Sequence, residues 1–251
     1  MLNNVQRQLS RYDREQQLNN QIEAYWDERS VDFSKLRQKE LKGPCADAWG
    51  LYLAGKLPER KPLNVLDVGT GAGFFAIVLS RLGHKVTGID MSGDMLHQAR
   101  QNVLASGCHA EFQKMNAQEL DFADNTFDVV ISRNLTWTLP DVMQAYREWQ
   151  RVLKKGGRLL NFDSDYGLMT FSRKEDQADV HAGIRQELVT ECNDIKDELR
   201  ISTHRRPLWD AEFLRSLGMQ VTVEEEIAPK VRTDKDMHFD TLPLFAIIAG
   251  K

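Results

Sequence analysis

VLDVGTGAG (65–73) is a short apolar run followed at once by three glycines, Gly69, Gly71 and Gly73. An apolar run of this length bounded by glycine reads as a buried strand that ends in a sharp turn. Glycine suits such a turn because the chain can adopt positive φ there, and a ligand can approach a backbone that carries no Cβ. A turn of this kind after a strand and before a helix lies at the carboxyl edge of an α/β sheet, where open sheets bind ligands.

The rhythm continues outward from the loop. LNVLDV (63–68) is the first strand, residues 72–82 a helix closed by Gly83, and KVTGID (85–90) the second strand. Ser92 caps a helix in which Met95, Ala99 and Val103 share one face and which Gly107 ends. AEFQKM (110–115) and FDVVIS (127–132) read as the third and fourth strands. Thr138 and Asp141, flanking Pro140, predict a capped helix through Lys154, ended by Gly156 and Gly157 before a fifth strand, RLLNFD (158–163). Val180, Ile184, Leu188, Ile195 and Leu199 give one helical stripe, so 164–206 is expected to be a helical cover inserted after the fifth strand. A helix over 208–217 leads to two closing strands, MQVTVEEEI (219–227) and LPLFAIIAG (242–250), with no helix between them and therefore antiparallel. The expectation is an α/β fold with a seven-stranded Rossmann-like sheet, mostly parallel with the last strand antiparallel. Residues 1–57, polar and helical, precede it as an extension or lid, and 58–251 form the main domain.

Two ligand classes compete for the glycine loop. A dinucleotide fingerprint, G-x-G-x-x-G counted from Gly69, would place its third glycine at 74, where Phe74 stands. Dinucleotide loops aim a helix N-terminus at a pyrophosphate. S-adenosylmethionine has no phosphate but carries an ammonium, a carboxylate and a sulfonium, and an acid such as Asp67 beside the loop fits that chemistry. Asp90 ends the second strand about twenty residues beyond the loop, placed to accept both hydroxyls of a ribose, with Met91 following to pack on an adenine face.

With these residues in place, the stretch 63–163 and the two closing strands resemble the class I S-adenosylmethionine-dependent methyltransferase family. VLDVGTGAG, VTGIDMS (86–92), FDVVISRNLTW (127–137) and RVLKKGGRLLNFD (151–163) resemble its successive motifs. The resemblance implies S-adenosylmethionine as cofactor and S-adenosylhomocysteine as product. It implies Asp67, Gly69, Thr70, Gly71, Gly73 and Phe74 around the methionine part, Asp90 at the ribose and Met91 at the base. Asn116 stands where the family often has an aspartate facing the adenine amino group, Ala117 would offer its backbone N–H to the ring, and Arg133 and Asn134 would line the methionine side.

Methyl transfer from a sulfonium is an in-line displacement with a good leaving group, so alignment and desolvation carry most of the catalysis and no dedicated base is required. The acceptor is expected over the fourth and fifth strands, near Trp137, Asp163, Asp165 and Tyr166, with Tyr25, Trp26 and Arg29 reaching in from the N-terminal helix. His204 is the candidate base.

Bulk properties narrow the partners. The 251 residues carry a net charge of −4 and 41% hydrophobic side chains, so a core is affordable but no global basic field draws in nucleic acid. No apolar run approaches the about 20 residues of a membrane span. Cys45, Cys108 and Cys192 show no zinc or disulfide spacing, which suits a cytoplasmic setting and no metal. A small-molecule acceptor is the default; a protein or tRNA methyltransferase and a non-catalytic cofactor-binding protein are the alternatives. The sequence leaves the oligomeric state open.

Overall fold

The computed structural model describes residues 2–176 and 178–251, residues 2–12 by backbone alone. Met1 of the 1–57 extension and Gln177 of the 164–206 insert lie outside the described residues. The chain runs through α1 (Leu2–Lys42), α2 (Pro44–Ala54), β1 (Asn64–Val68), α3 (Phe74–Arg81), β2 (Lys85–Asp90), α4 (Gly93–Ala105), β3 (Glu111–Lys114), β4 (Phe127–Arg133), α5 (Val142–Val152) and β5 (Leu153–Asp163). It then forms α6 (Gln186–Glu198), α7 (Leu208–Ser216), β6 (Gln220–Glu224), the single turn α8 (Ala228–Val231) and β7 (Phe245–Gly250).

The seven strands lie in the order β3-β2-β1-β4-β5-β7-β6. Pairs among the first five are parallel, while β7 runs antiparallel to both β5 and β6. This is the expected mostly parallel sheet with its last strand reversed. The strand order changes direction between β1 and β4, so the loops leaving these two strands diverge to opposite faces and open a crevice. Apolar clusters fill both faces: Trp149, Tyr146 and Leu66 on one, Trp49, Phe75 and Phe162 on the other.

Three sequence expectations are corrected. The helix expected to reach Lys154 stops at Val152, because Leu153 already pairs with Phe127 as β5 begins. Lys154 turns its ammonium to Asp128 (2.8 Å), and Gly156, at φ 73°, sits inside the strand. The cover helix is shorter than the stripe implied. It spans α6 alone, and Val180 and Ile184 lie before it in a stretch of turns held by backbone bridges such as Asp179 to His238. Finally, β6 and β7 are separated by α8, one turn started by Ala228 and Pro229. A single turn spans too little length to act as a parallel crossover, so the antiparallel pairing is unaffected.

The insert is fastened to the sheet by a buried polar network. Arg206 donates to Asp163 Oδ2 (3.1 Å), to both carboxylate oxygens of Asp210 (2.9 and 2.7 Å) and to Thr136 Oγ1 (2.6 Å). Thr136 donates in turn to Asp163 (2.5 Å), and Tyr146 donates to Asp210 (2.7 Å). Arg206, Asp163 and Asp210 are all buried, so each charge depends on the others for compensation. We expect Arg206→Met to lower the unfolding free energy by about 3–5 kcal/mol, since it strands two buried carboxylates. Urea denaturation followed by circular dichroism measures this, and a loss below about 1 kcal/mol would show that the network is not what fastens the insert.

Candidate functional site

β1 delivers the glycine turn at the crevice. Gly69, Gly71 and Gly73 all have positive φ (65°, 52° and 85°). A Cβ on Gly69 would stand 2.7 Å from Leu135 Cδ1, and one on Gly71 would stand 3.1 Å from Phe33 Cε1. The turn therefore needs glycine both for its conformation and for its closeness to neighbouring side chains. Asp90, at the end of β2, ties the turn down: its Oδ2 accepts from Gly71 N (2.9 Å) and its Oδ1 from Ser92 N (2.9 Å). Each oxygen keeps a second acceptor site, so the carboxylate retains capacity for two hydroxyls. Asp67 is buried and accepts from Thr70 Oγ1 (2.6 Å). Burial pushes the Asp90 carboxyl up to about 6 and that of Asp67 up to about 7, because neither has a cationic partner at contact distance.

Around this turn lies a cavity whose walls include Asp67, Gly69, Thr70, Gly71, Phe74, Asp90, Met91, Asn116, Ala117, Arg133 and Asn134. Of the residues expected at the cofactor, only Gly73 is outside these walls; it packs against Ala99 instead. Asn116 departs from its expected contact. Its Oδ1 already accepts from Gln118 N (2.9 Å) and Gln118 Nε2 (3.1 Å), so the amide presents its NH2 rather than a free acceptor. Asn134 holds φ 54°, and its side-chain oxygen is buried with no hydrogen-bond partner. A residue other than glycine in the left-handed region with an orphaned amide oxygen at a cavity wall marks a place where a ligand group can complete the pairing.

A second cavity adjoins the first. Tyr25, Trp26, Arg29, Trp137 and Tyr166, all expected near an acceptor, line it. Trp137 packs on Tyr166 (centroids 4.8 Å apart) and on Phe171 (5.5 Å), and its indole N–H donates to Asn134 O (3.0 Å). Trp26, Phe33, Arg37, Arg133 and Asn134 belong to the walls of both cavities and form the partition between them.

The remaining acceptor expectations land elsewhere. Asp163 and Asp165 line neither cavity. Asp163 is fully committed to Thr136, Trp137 N, Ser164 N and Arg206, and Asp165 accepts from Arg206 N. His204, the candidate base, is stacked on Trp209 (4.6 Å, 7° between planes) and is likewise absent from both sets of walls. The wall residues not foreseen include Phe33, Arg37 and Glu40 from α1, and Phe171, Cys192, Arg232 and Asp240 from the insert and the loop before β7. Phe33, Arg37 and Glu40 follow Trp26 and Arg29 at helical spacing, a periodicity the sequence does contain.

A glycine turn at the switch point, with a strand-end carboxylate that has acceptor capacity to spare, defines an α/β domain built to hold a nucleoside. Residues 66–161 match a family model described as a methyltransferase domain. Over 110 residues the chain is 41% identical to a demethylmenaquinone methyltransferase of Listeria monocytogenes serotype 4a, which covers 42% of this chain and 46% of that protein. Over 101 residues it is 40% identical to a phosphatidylethanolamine N-methyltransferase of Cereibacter sphaeroides, covering 39% and 48%. The chain thus spans about half the length of these relatives. A crystal structure of a SAM dependent methyltransferase from Aquifex aeolicus superposes with a TM-score of 0.57 at 21% identity, covering 86% of this chain and 97% of that one, a likeness of fold. Residues 66–161 thus match the methyltransferase-domain family, and the strand order is that of the class I S-adenosylmethionine-dependent methyltransferase fold, whose cofactor is S-adenosylmethionine. Among the described residues no helix is long and apolar enough to cross a membrane.

The raised Asp90 and Asp67 carboxyls give the site a pH signature. Both acids titrate higher in the folded protein than when exposed, so the unliganded fold binds extra protons below about pH 7, and a ligand that needs the anions must displace them. Affinity for S-adenosylhomocysteine is expected to be full above about pH 8 and to fall at least about tenfold by pH 5, one unit below the Asp90 value. Isothermal titration at the two pH values reads this directly, and a pH-independent affinity refutes the role given to Asp90.

Proposed function

We propose that this chain transfers the methyl group of S-adenosylmethionine to a small-molecule acceptor held in the second cavity. The observation that carries this reading is the shared partition: Trp26, Phe33, Arg37, Arg133 and Asn134 face both chambers. A methyl donor in one and an acceptor in the other would therefore meet directly where these shared walls join the chambers, as an in-line displacement requires.

The glycine turn and Asp90 fit a ribosyl methionine cofactor. Backbone close to the cavity, a carboxylate with acceptor sites left for two hydroxyls, and a buried acid at Asp67 for an ammonium are the donor and acceptor types this ligand requires. When bound, the cofactor supplies an electrophilic methyl on sulfonium. The protein's share is placement. Asp90 fixes the ribose, Asp67 offsets the ammonium, and Asn134 offers its unpaired amide oxygen from the partition. Trp137, Tyr166 and Phe171 give the acceptor a flat, water-poor wall, which favours an attack geometry set by packing. No base is assigned. We propose that α1 and the 164–206 insert together act as the cover that selects the acceptor, since they furnish Tyr25, Arg29, Phe171 and Cys192. The alternative of a cofactor-binding protein without activity calls for a filled acceptor chamber, whereas this chamber keeps a cavity between Tyr25, Trp137 and Phe171.

The small-molecule class is also consistent with the names of the two relatives, one acting on a demethylmenaquinone and the other on phosphatidylethanolamine. Incubating the protein with methyl-labelled S-adenosylmethionine and a fractionated metabolite extract should yield a labelled product of low molecular mass. Trp137→Ala should cut its formation at least about tenfold while leaving S-adenosylhomocysteine affinity within about twofold. Label appearing only in protein or RNA overturns the small-molecule assignment, and failure to bind S-adenosylhomocysteine at millimolar concentration overturns the reading as a whole.

A further inference from the structure

The second cavity contains a charge that no described residue pairs. Arg29 is 7% exposed, lines this chamber, and has a buried Nε with no hydrogen-bond partner. Among the described residues no ion pair or hydrogen bond reaches its guanidinium, although other arginines of the two cavities are engaged. Arg37 and Arg133 share Glu40 (2.7 and 2.8 Å), and Arg232 donates to Asp240 O (3.0 Å). A guanidinium stays charged at any physiological pH, so it cannot escape burial by losing its proton. Removing such a charge from water without a counter-ion is costly, and proteins retain one where a ligand completes it.

The rest of the chamber has the same sign. Its walls hold five cationic side chains, Arg29, Arg37, Arg133, Lys174 and Arg232, against the carboxylates of Glu40 and Asp240. Asp240 is further occupied by His181 (3.0 Å). The first cavity differs: apart from the partition arginines, its charged walls are the acids Asp67 and Asp90. The remaining acceptor walls are largely apolar, with an aromatic group of Trp137, Tyr166 and Phe171 beside aliphatic side chains such as Val180 and Ile184.

Resting on the reading of this cavity as the acceptor chamber, we propose that the acceptor is an aromatic or otherwise flat apolar molecule bearing an anionic group, and that Arg29 pairs with that group. The planar, forked guanidinium matches a carboxylate through two parallel N–H···O bonds. A single anion seated on Arg29 also fixes the orientation of a flat body against the Trp137 wall. Arg29 is thus a positioning and specificity residue, distinct from the groups that hold the cofactor.

The test uses the full chain saturated with S-adenosylhomocysteine and two probes of equal shape, 2-naphthoate and its neutral amide, 2-naphthamide. Isothermal titration should find the carboxylate bound at least about tenfold more tightly than the amide, as expected for a charge-assisted bond. Arg29→Gln should abolish the preference, and Arg29→Lys should keep part of it. Arg29→Gln should also leave S-adenosylhomocysteine affinity unchanged and should not lower the Tm, because the guanidinium has no hydrogen-bond or ion-pair partner among the described residues to lose. Equal affinities for the two probes, no binding of 2-naphthoate at millimolar concentration, or a preference that survives in Arg29→Gln overturns the inference. Wild-type protein that fails to bind S-adenosylhomocysteine instead refutes the underlying functional reading, which keeps the two failures apart.

Discussion

Glu40 is 1% exposed, near the C-terminal end of a long helix, and it is held by two arginines. Arg133, at the end of β4, reaches it with both terminal nitrogens (2.8 and 3.1 Å), and Arg37 reaches it one turn back along α1 (2.7 Å). The opposed effects are visible in the carboxyl itself. Burial favours its neutral form, yet the two guanidinium groups outweigh burial and hold it below the ordinary glutamate range. Arg133 in turn stacks on Phe74, 4.1 Å from the ring centroid, at the start of α3. One carboxylate thereby joins α1, β4 and α3 at the mouth of the crevice. Both cavities have walls on α1 and at the end of β4, and the first also on α3, so their shape rests on this contact.

Further along α1 the attachment remains polar. Asp27 accepts from Ser92 Oγ (2.5 Å), which also caps α4, and Ser34 Oγ accepts from Asn102 Nδ2 (3.0 Å) on that same helix. Gln38 donates to Asn102 as well (2.8 Å). A cover fastened by directional bonds has one register and one rotation. An apolar stripe would tolerate sliding far better. For a helix that supplies Trp26, Arg29, Phe33 and Arg37 to ligand chambers, that single register has functional value, because a slip of one residue would turn each of them about 100° away.

The sheet was legible because its signals are local and apolar. The residues of VLDVGTGAG and KVTGID reveal their strands through runs of buried side chains, and the glycine turn through steric need. Asp90 could be placed because β2 ends beside β1 in any fold of this kind. The cover was legible only in part, and the reason is physical. The buried face of α1 includes Arg29, Ser30, Ser34, Arg37 and Glu40, so the usual link between burial and hydrophobicity is reversed there. Val180 and Ile184 misled in the opposite direction. They are apolar and fall at helical spacing with Leu188, yet they face the cavity from turns, and apolar character alone does not distinguish a helix face from a ligand wall. His204 illustrates a third limit. A histidine in a plausible segment was a fair candidate for a base, but its stacking on Trp209 depends on where α7 begins, which one-dimensional spacing does not reveal.

These failures of legibility coincide with sites that are unfavourable without a ligand. Asp67 and Asp90 are pushed toward the neutral form, Asn134 holds a left-handed backbone with an unpaired amide oxygen, and Arg29 keeps a buried charge without a partner among the described residues. A sequence selected for stability alone would replace each of them. The structural network around Arg206 shows that this chain pairs buried charge with an opposite charge where no ligand is involved, since Asp163 and Asp210 both meet Arg206 there. The contrast between an ion-paired network at the base of the insert and the unpaired charges along the two chambers divides the charged interior into a part that holds the fold and a part suited to ligands. On this division the acids Asp67 and Asp90 lie along the first cavity and the unmatched cation of Arg29 along the second, a separation of charge that suits a cationic methyl donor in one and, as proposed above, an anion-bearing acceptor in the other.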